Sequence, residues 1–219
     1  MRPHRVTWAI PDRDGIAAAQ TLGAAGALTI NGVLLDLDLY NKTGVRRAAT
    51  GVSIERSVTL YSSGNLSGIT FTLTGVDTHG QAVTEDVTGP NNTTVSSTKL
   101  YAYVTSIVAS ASVGTAVEVG TGTIGTTSVW VPDDKISPCN IALAAVVAGT
   151  INWDAEHTFD DIFAAGYKQS AGTFFDHEDL AGETASGDGN YAFCPAGIRF
   201  KINSSGADGA LAMAIIQAG

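Results

Sequence analysis

The stretch Ser67-Gly68-Ile69-Thr70-Phe71-Thr72-Leu73-Thr74-Gly75 sets Ile69, Phe71 and Leu73 in strict alternation with polar neighbours. A period of two places one set of side chains on a core and the other toward water, the signature of a half-buried β-strand rich in β-branched and aromatic residues. Asp77-Thr78-His79-Gly80 follows as a turn, and Gln81 to Val87 returns as the second strand of a hairpin. Gly89-Pro90-Asn91-Asn92 breaks the chain again. From Thr98 to Ser110 a longer strand is predicted, with Tyr101, Tyr103 and Ile107 on one face and Leu100, Val104 and Val108 on the other. Both faces then need cover, as in a two-layer sandwich.

The same chemistry extends outward in both directions. Glycine (25 residues), threonine, serine and valine dominate, and no long stretch keeps a 3.6-residue apolar period. In the first half a helix is expected only over Ile16 to Leu22, an alanine-rich stretch after the turn Pro11-Asp12-Arg13-Asp14-Gly15, and Ala27 to Leu39 alternates as one or two strands. After Ser128-Val129-Trp130-Val131-Pro132, the segment Asn140 to Asn152 reads as a nearly continuous apolar strand ending at Trp153, with a buried helix over Ile141 to Ala148 as the alternative. Asp154 to Ala192, rich in Asp, Gly and aromatics, reads as long ordered loops. Tyr61-Ser62-Ser63-Gly64 and Asn203-Ser204-Ser205-Gly206 look alike, each taking a strand into a Ser-Ser-Gly turn, so the chain reads as two β modules dividing near residues 125 and 126.

Composition bounds what such a chain can be. Its 219 residues (22.5 kDa) are 44% hydrophobic and only 15% charged, against about 25% charged in an average globular domain. That excludes disorder and allows one large all-β domain or two of about 100 residues. Twelve Lys+Arg against 21 Asp+Glu give a net charge of -9 and a pI near 4.7. With the basic residues scattered, no nucleic-acid partner is expected. Cys139 and Cys194, each beside a proline, form either one disulfide or two small buried thiols, and no Cys/His cluster suggests zinc. Met1 to Trp8 lacks the apolar core of a signal peptide, and the longest apolar run, Ile141 to Ile151, is about half the roughly 20 residues of a membrane span. No membrane association is expected.

Three motifs carry potential chemistry. Gly120-Thr121-Gly122-Thr123-Ile124-Gly125 matches GxGxxG, but a dinucleotide site needs a helix after it, and Thr126 to Pro132 is β-branched and ends in proline. It reads as a Gly/Thr linker. Asp154-Ala155-Glu156-His157-Thr158-Phe159-Asp160-Asp161 and Asp176-His177-Glu178-Asp179 offer oxygen ligands for a hard cation or carboxylates for acid/base work, yet such runs are more often turn-makers and a solvated face. The four histidines (His4, His79, His157, His177) come with no Gly-x-Ser-x-Gly elbow. No catalytic, cofactor-binding or metal-ligating residue is therefore assigned, no cofactor is expected, and the chain reads as a non-enzyme.

Ser57 to Gly89 and its continuation, with Gly68-Ile69-Thr70-Phe71-Thr72-Leu73-Thr74-Gly75, Thr84 to Asn91 and Lys99 to Ile107, resembles small virion proteins of tailed bacteriophages. Met1 to Thr7, Trp130 to Asp133, Trp153 to Phe163, Gly187 to Phe193, Ile198 to Phe200 and Ile216 to Gly219 resemble short podophage-type structural proteins. The resemblance covers most of the chain, and its motifs are structural. It implies an all-β fold of two β-sandwich or jelly-roll-like modules, with the first module (14–125) inserted after the N-terminal strand of the second (1–13 plus 126–219). It further implies a capsid decoration (cement) protein on the virion surface, made in the host cytoplasm, that binds the major capsid protein as a homo-oligomer, with a trimer favoured. Cys139 and Cys194 stand where that pattern has other residues, so the resemblance lends no support to a disulfide.

Two other functions fit the residues. A neck, tail or fibre-attachment component would use the same β adaptors, and a glycan-binding or glycan-cleaving module would draw on Trp153, Asp160, Asp161, Tyr167 and Asp176.

Overall fold

The 67–87 hairpin forms where the alternation places it. In the computed structural model, which describes residues 3–218, the elements run in order as β1 (His4–Trp8), β2 (Ala17–Leu22), β3 (Gly26–Ala27), α1 (Leu37–Thr43), β4 (Ala48–Ala49), β5 (Ile54–Asn65), β6 (Thr70–Val76), β7 (Ala82–Thr88), β8 (Asn91–Ser96) and β9 (Tyr103–Ala109). They continue as β10 (Val113–Thr127), β11 (Asn140–Ala148), β12 (Ile151–Thr158), a 3-10 turn (Gln169–Ala171), β13 (Phe175–Asp176), β14 (Gly187–Tyr191), β15 (Gly197–Ser205) and β16 (Ala210–Ala218). With 53% of the chain in strands and 5% helical, the fold is all-β. Met1, Arg2 and Gly219, at the ends of the terminal motifs quoted above, lie outside the described residues. Among those described, no helix is long and apolar enough to cross a membrane.

Contacts divide the chain into two units. One comprises Asp12–Gly51 and Glu55–Gly122. In it β6 and β7 pair in register from Thr70↔Thr88 to Val76↔Ala82, β9 pairs on the other side of β6, and β3 and β4 both pair with β9. A second layer holds β8 beside β5 and β2 beside β10. Phe71, Leu73, Val104 and Ile107 from the first layer meet Val58, Leu60, Val117 and Val119 from the second in one core.

Four local readings differ from the structure. Ile16 to Leu22 is a strand entry, because Ile16 and Ala17 are fully buried and β2 pairs with β10 at Ala17, Gln20 and Leu22. Pairing here overrides alanine's helix propensity. The helix stands instead at α1, with none of its residues buried, and its caps define it. Asp36 accepts from the Leu39 N–H at 3.1 Å, and Gly44, at φ 72°, closes the end onto the Tyr40 carbonyl. Along β9 the pairing shifts between Thr74↔Ser106 and Gly75↔Val104, leaving Thr105 as an extra residue. That bulge puts both Val104 and Ile107 on the core side, where plain alternation separates them. The Gly/Thr run at 120–125 lies inside the fifteen-residue β10, so the chain passes between the units there, at Gly122/Thr123, as strand and not as irregular linker.

The other unit comprises the described residues up to Pro11, Val52–Ile54, and those from Thr123 onward. One sheet has the order β1-β16-β11-β14. The other places β12 between β13 and β15, and Gly125 and Thr126 of β10 pair with Ile202 and Lys201 on the far side of β15. Val6, Trp8, Ile141, Leu143, Leu211 and Met213 from one sheet pack on Trp153, Ala155, Phe200 and Ile202 from the other. The apolar segment 140–152 is two strands: β11 alternates, with Ile141, Leu143 and Ala145 inward, and Gly149 at φ 71° turns the chain into β12. Both Ser-Ser-Gly stretches lead from one strand through a turn into the next: the first runs on within β5 to Asn65, Ser62 pairing with Thr93, before a turn closed by the Ile69 N–H on the Leu66 carbonyl, and the second ends β15 at a turn closed by the Gly209 N–H on the Gly206 carbonyl. Cys139 and Cys194 are bonded, with Cα atoms 5.8 Å apart, just beyond the Ile141↔Tyr191 pair that joins β11 to β14.

Candidate functional site

β12 determines the chemistry of the second unit because its two faces meet different neighbours. After a register shift between Asn152 and Trp153, the Trp153 and Ala155 side chains enter the core, both fully buried. Asp154 and Glu156 point the other way, and their partners come from β15, across the pairs Asp154↔Lys201 and Glu156↔Arg199.

This acidic pair is buried, each residue 4% exposed, and it is neutralised. Arg199 Nε lies 2.6 Å from Glu156 Oε2, and Lys201 Nζ lies 3.2 Å from Asp154 Oδ2 and 3.4 Å from Glu156 Oε1. Asn203 donates to Asp154 Oδ2 at 2.8 Å, and the Gly182 N–H donates to Asp154 Oδ1 at 2.6 Å. Burial works against the charge on Lys201, but the two carboxylates outweigh it and raise the lysine's pKa. Asp154, Glu156 and Asp176 do bring three carboxylate oxygens within 4.8 Å of one another, as a cation site would. The Lys201 ammonium already supplies the compensating charge there, so the cluster fastens the 159–185 segment to the sheet.

A second acidic group, in the other unit, surrounds the hairpin turn. Glu55 Oε1 accepts from both the N–H and the hydroxyl of Thr78, while Asp77 Oδ1 accepts from the N–H groups of His79 and Gln81. These are turn-stabilising bonds. The GxGxxG run is strand on both sides, and its glycines serve close packing: a Cβ on Gly120 would lie 1.9 Å from the Asp12 carbonyl oxygen, and one on Gly122 2.0 Å from Ser57 Oγ. Strand continues after it to Thr127, where a dinucleotide phosphate site needs a helix N-terminus.

The core face of β12 runs on past the edge of the sheet. Beyond Trp153 and Ala155 the same face carries His157, half-buried, and then Phe159, 61% exposed. His157 pairs in register with Phe175 of β13, and its ring lies 5.2 Å from the rings of both Tyr191 and Phe193. Phe159 and Phe193 stack at 5.8 Å and 27°, and Phe159 and Phe175 are 6.2 Å apart. The open end of the core is thus an aromatic platform in which Phe159, Phe175 and Phe193 all remain 43% exposed or more. Burial lowers the pKa of His157, as does the nearby His177, with Asp176 opposing both. The Tyr191 hydroxyl and His157 Nδ1 share a hydrogen bond at 3.3 Å, and burial pushes the Tyr191 phenol well above its ordinary range. His177 Nδ1 accepts from the Asp179 N–H, so Nε2 carries the proton toward the Asn190 carbonyl, 3.2 Å away.

Two clefts flank the platform. One, of about 520 Å³, is lined by Phe159, Asp160, Asp161, Phe163 and Asp134. The other, of about 360 Å³, is lined by His157, Asp176, Glu178, Asp179 and Phe193. Both are acidic. The glycan set named from the sequence is not assembled: Trp153 is interior, Asp160 and Asp161 belong to the first cleft, Asp176 to the second, and Tyr167 lines neither. The phenylalanines that form the platform went unassigned in the sequence, although Phe159 stands at the position where the β12 alternation leaves the sheet. Comparison of the chain with family models, curated proteins and solved structures finds no match.

Proposed function

We propose that the chain is a non-enzymatic structural protein of a tailed-bacteriophage virion, a capsid decoration protein that binds the major capsid protein on the shell surface as a homo-oligomer, with a trimer favoured. The observation that carries this reading is the aromatic platform. Exposed apolar clusters on a rigid frame mark docking surfaces, and this one is held by β12, β13 and β14, by the Arg199–Glu156 ion pair and by the Cys139–Cys194 bond. Its rings project from strand ends and loops, where a scaffold presents binding residues. The sequence resemblance to virion proteins supplies the kind of partner. A shell repeats one docking site many times, so a modest interface per copy is enough to cover it.

Quantitative mass spectrometry of particles purified from cultures producing the chain tests this. Copies in the hundreds per particle are expected. A dozen or fewer would move the protein to the neck, tail or fibre attachment, and absence from the particles would overturn the reading.

A further inference from the structure

We propose that the aromatic platform with its two acidic clefts docks a cationic segment of a partner protein, with arginine or lysine side chains lying over the rings of Phe159, Phe175 and Phe193 and their charges directed at the carboxylates around them. The inference deepens the docking reading above and rests on it for the partner's being a protein.

The charge pattern selects the occupant. Asp134, Asp160 and Asp161 line one cleft and Asp176, Glu178 and Asp179 the other, with the exposed phenylalanines between them. Among the described residues none of these six carboxylates takes part in an ion pair. A second copy of this chain, carrying net charge -9, would bring like charge to that rim. A guanidinium or ammonium meets two attractions at once: the negative face of a phenyl ring within about 6 Å and, at its edge, a carboxylate that forms no ion pair among the described residues.

The unit already contains one such arrangement. Arg199 lies with its guanidinium carbon 3.4 Å from the centroid of Phe174 while its Nε bonds Glu156 at 2.6 Å. Phe174 is the residue before Phe175. The platform repeats that combination of ring and carboxylate on the outer surface, with no cation of its own over Phe159, Phe175 or Phe193 among the described residues. Aliphatic parts of the arriving side chains would cover the remaining ring surface, as long basic side chains do elsewhere.

The test is an NMR titration of the full chain at 0.15 M NaCl, following the aromatic signals of Phe159, Phe175 and Phe193. Four probes are used: capped octapeptides alternating Arg with Leu, Gln with Leu and Glu with Leu, and maltohexaose. The Arg/Leu peptide is expected to shift all three phenylalanines. Phe159→Ala combined with Phe193→Ala, at exposed positions, should weaken it at least tenfold. Asp134→Asn combined with Asp161→Asn and Glu178→Gln leaves every ring in place, should weaken it severalfold, and keeps the test decisive if the first variant does not fold.

Four outcomes overturn the inference: no peptide binds, the Gln/Leu or Glu/Leu peptide binds as well as Arg/Leu, the double phenylalanine variant binds Arg/Leu unchanged through general attraction to an acidic chain, or maltohexaose alone shifts the three rings. A chain abundant on particles but blind to the Arg/Leu peptide defeats this inference and leaves the virion reading standing. Specific Arg/Leu binding by a chain absent from particles does the reverse.

Discussion

Glu55 shows how much of this molecule's chemistry is decided by burial. It is 2% exposed, and burial raises its pKa above the ordinary carboxylate value, aided by Asp77 and opposed by the two bonds from Thr78. A folded-state pKa above the unfolded one means that the folded chain holds the proton to higher pH. The associated stability is present below the unfolded pKa of about 4.5 and is lost as pH rises through the folded value. Glu55→Gln keeps an oxygen for the Thr78 N–H and hydroxyl and removes the titration. The difference in unfolding free energy, variant minus wild type, should therefore grow as pH is raised from 4.5 to 8 in denaturant titrations. A difference that stays flat or shrinks would show that the carboxylate is stabilised by its bonds more than it is penalised by burial. The acidic runs were legible as residues, but their roles were not. Asp154 and Glu156 are buried because Lys201 and Arg199 arrive from 47 and 43 positions away, and no local pattern carries that information.

Among the elements, the strands whose apolar and polar residues alternate cleanly were the legible ones, above all β6 and β7. Misread segments each had a partner or cap that outweighed local propensity: β10 made a strand of the alanine-rich β2, and two caps made a helix of α1. The phase of β9 was misjudged because a register shift flips the faces downstream of it. β1 is the element on which most depends for its size. It pairs with β16 over five residues, from His4↔Ile215 to Trp8↔Leu211, and buries Trp8 completely and Val6 nearly so. Removing it strips a strand from the sheet edge and a tryptophan from the core, and losing a buried Trp side chain alone costs about 3–5 kcal/mol. Deleting residues 1–10 should abolish slow hydrogen exchange along β16 and β11 while β6 and β9, whose core takes nothing from the described residues of that stretch, keep theirs. Unchanged protection in β16 would mean that the strand is dispensable and that residues 1–10 are no part of that unit.

At the scale of the whole molecule, the two cores have no residue in common, although the chain passes between the units four times, at Pro11/Asp12, Gly51/Val52, Ile54/Glu55 and Gly122/Thr123. Separate cores should melt separately, and each contains a handle that the other lacks. The Cys139–Cys194 bond closes a loop across 55 positions of one unit, which the chain-entropy account values at about 4 kcal/mol. In the other, Tyr101 is fully buried, and its hydroxyl finds no hydrogen-bond partner among the described residues. Tyr101→Phe keeps the ring and removes an unsatisfied polar atom, a gain of about 1 kcal/mol. Scanning calorimetry should then resolve two transitions. Reduction should lower only one of them, Tyr101→Phe should raise only the other, and the combined treatment should show both shifts undiminished, because perturbations in separate cores add. One transition moved by both treatments would mean that the chain unfolds as a single cooperative body. β5 and β10, which carry the chain across two of the four crossings, would then transmit the stability of each core to the other.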